Sequence, residues 1–109
     1  MPTDISDPPA LSGKFRREMR AKAHHLKPVV TLGAEPSESA LAELDRALSD
    51  HELIKVRVNI ADRKARDRTI DDIATSARAL DVQRIGRIAV LYRANPDAKP
   101  ELSNTPRQS

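Results

Sequence analysis

From Leu53 to Ile60 the chain reads LIKVRVNI, in which Ile54, Val56, Val58 and Ile60 alternate with Lys55, Arg57 and Asn59. A period of two sends these two sets to opposite faces of an extended strand. Such a strand needs an apolar partner layer on one side and tolerates water on the other, which excludes an all-helical fold. The neighbouring segments supply the layer. Ser12 is placed to cap a helix over Lys14–His25, where Phe15, Met19, Ala23 and Leu26 recur at helical spacing until Pro28 forces Lys27 toward extended geometry. PVVTL, Pro28–Leu32, is a β-branched run closed by Gly33 and reads as a buried strand. Ser37 caps a second helix with Ala40, Leu41, Leu44, Ala47 and Leu48 along one face. A polar connection, ADRKARD, leads to a third helix around Arg68–Leu80, with Ile70, Ile73, Ala74, Ala77 and Leu80 on its inner stripe. VQRI and IAVLYR then flank Gly86-Arg87, the signature of a two-residue hairpin.

The order α-β-α-β-α-β-β predicts an α/β fold, a two-layer sandwich built on a four-stranded mixed sheet. Its two βαβ crossovers are expected to be right-handed, which places their helices on one side and turns Lys55 and Arg57 toward water. Residues 1–10 and 94–109 hold six of the eight prolines and few large apolar side chains. Both therefore read as disordered tails, dispensable for folding, around one domain of residues 11–93.

Charge is more informative than its sum. The net charge is only +3, yet Lys14, Arg16, Arg17, Arg20, Lys22 and Lys27 are opposed locally by Glu18 alone, while the Ala34–Glu52 stretch carries six acids against Arg46. On the first helix Arg16, Arg20 and His24 form an i, i+4, i+8 ladder with Arg17 beside them, all expected opposite the Phe15, Met19 and Leu26 stripe. Like charges at that spacing repel, so a ladder of this kind points to an external anion, and arginine favours phosphate. Arg84, Arg87 and Arg93 cluster about the hairpin and extend a basic surface if that edge lies near the first helix. Arg63, Lys64, Arg66 and Arg68 have Asp62, Asp67, Asp71 and Asp72 nearby to neutralise them. Phe15 and Tyr92 are the only aromatic residues. Single-strand binders need aromatic platforms, so recognition here is expected to rest on phosphate and sugar.

Enzymatic readings find little support. There is no cysteine. His24 and His25 are adjacent and point about 100° apart on a helix, so they cannot share a metal, and His51 is the third histidine. Asp71-Asp72 reads as an adjacent pair at the start of a helix, where the dipole accounts for it. The three glycines match no phosphate-cradling spacing. No catalytic residue, cofactor or metal is expected. The first ten residues lack a leader pattern, and no apolar run approaches the roughly 20 residues of a membrane span, so a cytoplasmic protein with no membrane partner is expected.

Five ordered blocks, AHHLKPVVTLG (Ala23–Gly33), HELIKVRV (His51–Val58), Asp62-Arg63, VQRIG (Val82–Gly86) and VLYR (Val90–Arg93), resemble the CRM domain in its small bacterial YhbY-like form. The resemblance implies a fold similar to the C-terminal domain of translation initiation factor three, RNA binding without catalysis, and association with ribosomal RNA in precursors of the large subunit. It also implies a GxxG loop after the first strand. Here that stretch reads Gly33-Ala34-Glu35-Pro36, without the second glycine, with an acid that repels phosphate and a proline that offers no amide N–H. The expected RNA-binding set is therefore weighted to the first helix and Lys27: Arg16, Arg17, Arg20, Lys22, His24, Lys27, Gly33, Lys55, Arg57, Arg84, Arg87 and Arg93, in a monomer. Two other partners fit the charge pattern: an acidic protein bound by the basic helix, which makes the chain an adaptor, and DNA.

Overall fold

The structure is a computed structural model that describes residues 12–106; the expected disordered tail at 1–10 lies outside the described residues. Seven elements follow in chain order: α1 (Gly13–Ala23), β1 (Pro28–Leu32), α2 (Glu38–His51), β2 (Leu53–Val58), α3 (Arg63–Ala77), β3 (Leu80–Ile85) and β4 (Ile88–Tyr92). The sheet order is β1-β2-β4-β3, parallel between β1 and β2 and antiparallel elsewhere. Fold class, element order and the mixed four-stranded sheet are as the sequence predicts.

Side-chain caps start each helix. Ser12 Oγ accepts from the Phe15 N–H at 3.0 Å, Ser37 Oγ from Ala40 at 3.1 Å, and Asp62 Oδ2 from Ala65 at 2.9 Å. The third cap moves α3 forward: ADRKARD is not a connection but supplies the cap and the first turn of the helix, because Arg, Lys and Ala are good helix formers once Asp62 satisfies the leading N–H groups. Asp71 and Asp72 consequently lie inside α3, not at its start. The helix ends where Arg78 adopts φ 57°, and Leu80 belongs to β3 rather than to the helical stripe. In the β3–β4 hairpin Gly86 has φ 57° at the first central position, the glycine-first pattern of a type II′ turn.

Ile54, Val56 and Val58 join Val30, Leu32, Ala89 and Leu91 on one side of the sheet, covered by Leu44 and Leu48 of α2 and Ile70, Ile73 and Ala74 of α3. Both crossover helices thus share a face, as expected. The two-layer expectation needs one correction. Met19 and Ala23 of α1, with Phe15 and Leu26, pack on the opposite face against Leu53, Leu80, Val82, Val90 and Tyr92, adding a partial third layer. The cause lies in β4, whose Val90 and Tyr92 sit beside Lys55 and Leu53 and cannot be left to water. Three rungs cross this face: Leu53–Tyr92–Leu80, Lys55–Val90–Gln83 and Arg57–Ile88–Ile85. The first rung belongs to the α1 core, whereas Arg57 and Ile85 in the third stay exposed.

The expected C-terminal tail also needs correcting. Residues 94–106 form a strap across the end of α2. Glu52, the fully buried C-cap of α2 with φ 63°, accepts from the Asn95 N–H on Oε1 at 2.6 Å, and on Oε2 from Ser103 Oγ at 2.7 Å and Thr105 Oγ1 at 3.0 Å. Asn95 Nδ2 donates to the Ser49 carbonyl, the Asn104 N–H to that of His51, and Asn104 Nδ2 to that of Leu53, at 2.8, 2.9 and 2.7 Å. The segment is poor in apolar residues because it is held by polar ones: it satisfies the carbonyls that a helix C-terminus leaves unpaired and a buried carboxylate besides.

Candidate nucleic-acid interface

The cations divide by whether the fold already uses them. Arg84 is a hub. Its Nε donates to Asp81 Oδ2 at 2.6 Å, its Nη1 lies 3.2 Å from Asp67 Oδ1, and its Nη2 pairs with Asp71. Burial opposes the guanidinium charge, but hydrogen bonds to Asp71 and Asp81, the charge of Asp81 and the bond to Asp67 outweigh it and raise its pKa. Arg93 clamps α2 to α3, with Nη1 on Asp45 Oδ1 at 2.8 Å and the Ala77 carbonyl at 2.9 Å, and Nη2 on the Asp45 carbonyl and Ser49 Oγ. Arg87 donates to Asn59 Oδ1 at 3.1 Å, and Arg16 to the Asp81 carbonyl at 2.8 Å. By contrast Arg17, Arg20, Lys22, Lys27, Lys55 and Arg57 have no hydrogen-bond or ion-pair partner among the described residues.

The network predicts how Arg84 behaves. Asp81 Oδ1 is buried without a hydrogen-bond partner among the described residues, so Arg84 is what offsets that carboxylate. Arg84→Met is expected to cost about 1–2 kcal/mol, a sum limited by water at the more open Asp67 and Asp71, and to lower the melting temperature by several degrees. RNA affinity at a temperature where the variant is folded changes by less than about twofold. A larger loss of affinity at unchanged melting temperature would put Arg84 in contact with ligand.

Arg17, Arg20, Lys22, Lys27, Lys55 and Arg57 lie on α1, just after it, or on the neighbouring face of β2, whereas Arg46 of α2 and Lys64 and Arg68 of α3, also without a partner among the described residues, lie on the other side of the sheet. Arg20 and His24 run along the flank of α1 that faces β3, continuing from Arg16, and with Lys55, Gln83 and Ile85 they border a groove of about 340 Å³. The ladder therefore lies beside the apolar stripe rather than opposite to it. Arg57 follows Lys55 on the same face of β2, one rung further out. Gly33 ends β1 at the sheet end where Asn59 donates to the Leu32 carbonyl and Val58 to that of Arg87. A Cβ at position 33 would meet nothing within 4 Å, so packing inside the fold does not demand glycine there. Lys27 stands at the other end of β1, about 17–20 Å away for a strand of this length. Tyr92 is engaged edge to face with Phe15 at a centroid distance of 5.1 Å, within the α1 core, and offers no open platform on the sheet.

The opposite side carries charges of both signs, exposed Arg46, Lys64 and Arg68 among them. Glu38 and Glu43 of α2 and Asp72 of α3 are exposed there. Within α1, Lys14, Arg17, Arg20 and Lys22 have no partner among the described residues and are opposed by Glu18 alone, so the local excess of positive charge lies on the α1 side. A family model described as the CRS1/YhbY (CRM) domain matches residues 11–93. The chain belongs to the CRS1/YhbY (CRM) domain family.

CRM relatives resemble this chain over almost their whole length. A Haemophilus influenzae protein named as an RNA-binding protein is 46% identical over 93 residues, spanning 84% of this chain and 94% of its own. A Pseudomonas aeruginosa protein named as a probable RNA-binding protein is 41% identical over 99 residues, spanning 90% and 95%. The solution structure of a Staphylococcus aureus protein superposes with a TM-score of 0.71 at 30% identity, covering 82% of this chain and 94% of that one. Within this CRM domain, sequence reasoning missed Gln83 and Ile85 as groove residues and Glu52 as the anchor of the strap. Asp67 and Asp71, one helical turn apart, were the available signal that Arg84 has internal partners.

Proposed function

We infer that this protein binds RNA, that the RNA is ribosomal RNA in precursors of the large subunit, and that the protein acts there as a non-catalytic assembly factor, monomeric and cytoplasmic. The observation that carries the reading is the sorting of the cations. Arginines that look equivalent in sequence are either consumed by internal carboxylates and carbonyls or left without a partner, and on α1 and the adjacent face of β2 those left over stand together with Glu18 as the one acid on the helix. A cluster of partnerless cations with a single acid on the same helix matches a polyanion that is approached from that side. Relatives named as RNA-binding proteins support RNA over DNA. Gly33 contributes as backbone that RNA can approach closely, since no side chain stands in the way.

The test is sedimentation of the tagged full chain in cell extract on a sucrose gradient at low salt. The protein is expected to travel with particles lighter than mature large subunits and to return to the top after RNase treatment or at raised salt. Migration that survives RNase and is reproduced by one purified acidic protein favours the adaptor reading instead.

A further inference from the structure

We propose that the groove between α1 and the sheet seats one unpaired nucleotide of the bound RNA, with the base against His24 and Ile85, the Gln83 amide on its edge, and its flanking phosphates on Arg20, Lys55 and Arg57. The inference rests on the RNA reading above and specifies which structural feature of the RNA is recognised.

The groove contains chemistry that a phosphate-binding surface does not need. At 57% exposure, Ile85 is the most exposed large apolar side chain among the described residues, although it lies on a sheet face whose neighbouring rungs are half covered. Beside it Gln83 is half-buried, and its amide makes no hydrogen bond among the described residues. An amide presents a donor and an acceptor in one plane, the pattern that matches a base edge and not a phosphate. Among the described residues the imidazole of His24 is the one aromatic ring on the groove wall. Unstacked bases in RNA are held by aromatic planes and by hydrogen bonds to their edges, and His24 and Gln83 supply both. A volume of about 340 Å³ falls at the small end of ligand pockets, about 300–1,000 Å³, which suits one nucleotide rather than a duplex. A paired helix buries its base edges and stacking faces, so it engages the surrounding cations and leaves the groove empty.

The test uses the full chain and four versions of one RNA hairpin in fluorescence anisotropy at fixed moderate salt: fully paired, with a single bulged uridine, with a single bulged adenosine, and with an abasic nucleotide in the bulge. At least one bulged base is expected to bind about tenfold tighter than the paired hairpin, with the abasic bulge close to the paired value. Gln83→Leu and Ile85→Asn, both on an edge strand, are expected to reduce that preference to less than about twofold while leaving affinity for the paired hairpin unchanged. As a readout independent of variant folding, a bulged 4-thiouridine is expected to crosslink to His24, Lys55, Gln83 or Ile85 in the unaltered protein. Equal affinity for bulged, abasic and paired hairpins overturns the proposal while leaving RNA binding intact. So does a preference that survives both substitutions, or a crosslink confined to the Gly33 loop. Failure to bind any of the four RNAs would overturn the RNA reading itself.

Discussion

A chain ending at Arg93 melts roughly 10–20 °C below the full chain, although every helix and strand is retained. The reason is Glu52. Its carboxylate is fully buried at the end of α2 and receives the Asn95 N–H and the Ser103 and Thr105 hydroxyls, all from the strap. A hydrogen bond to a charged group is worth about 1.5–3 kcal/mol when broken in place, and water entering after truncation returns part of it, so a net loss of about 3 kcal/mol is expected. The last carbonyls of α2 lose Asn95 and Asn104 at the same time. Two substitutions in the full chain separate the carboxylate from the rest. Glu52→Leu leaves three buried donors facing an apolar side chain and is expected to approach the truncation in cost. Glu52→Gln keeps shape and one acceptor, and the two hydroxyls can reorient toward its amide, so it costs about 1 kcal/mol. Thermal melts followed by circular dichroism decide the matter. A truncated chain that melts within two or three degrees of the full one would show that the strap adds nothing to the fold.

That strap marks the limit of what is legible in the sequence. Periodicity identifies six of the seven elements closely because each has an apolar face whose spacing is local: Ile54, Val56 and Val58 announce a strand without reference to anything else. It misplaces the start of α3 because Arg63–Asp67 has no apolar stripe, only a cap and good helix formers, and it makes a tail of 94–109 because apolar content alone then stands for burial. Polar docking leaves no such pattern. Ser103 and Thr105 look like any linker residues until Glu52 is placed between them. The site is half legible on the same grounds. A count of cations locates the basic helix, but whether an arginine is free depends on carboxylates distant in sequence: Arg93 meets Asp45 across 48 residues. Arg17 and Arg20 stay available while Arg84 and Arg93 are drawn into the scaffold.

Reversing the charge of Arg17, Arg20 and Arg57 together to glutamate is expected to weaken binding to structured ribosomal RNA by at least about 100-fold at moderate salt. All three are exposed and have no partner among the described residues, so the melting temperature stays within a few degrees of the parent. Alanine at the same positions is the more informative variant. Removing one cation–phosphate pair flattens the slope of log affinity against log salt by about 0.7–0.9, so removing three reduces it by about 2–3. The control belongs on the opposite side of the sheet. Glu38→Gln with Glu43→Gln leaves affinity unchanged or slightly raised, since both are exposed on α2; Asp45 is excluded because it holds Arg93. Arg16 is kept for the same reason, as its guanidinium ties α1 to the Asp81 carbonyl, and its loss would mix stability with binding. The comparison separates two surfaces. If the triple alanine variant keeps the parental slope while Arg63→Ala with Lys64→Ala flattens it, the phosphates run along the start of α3 and not between α1 and β2. A parental slope in both variants would move the RNA backbone to Lys22, Lys27 and the Gly33 loop, at the two ends of β1.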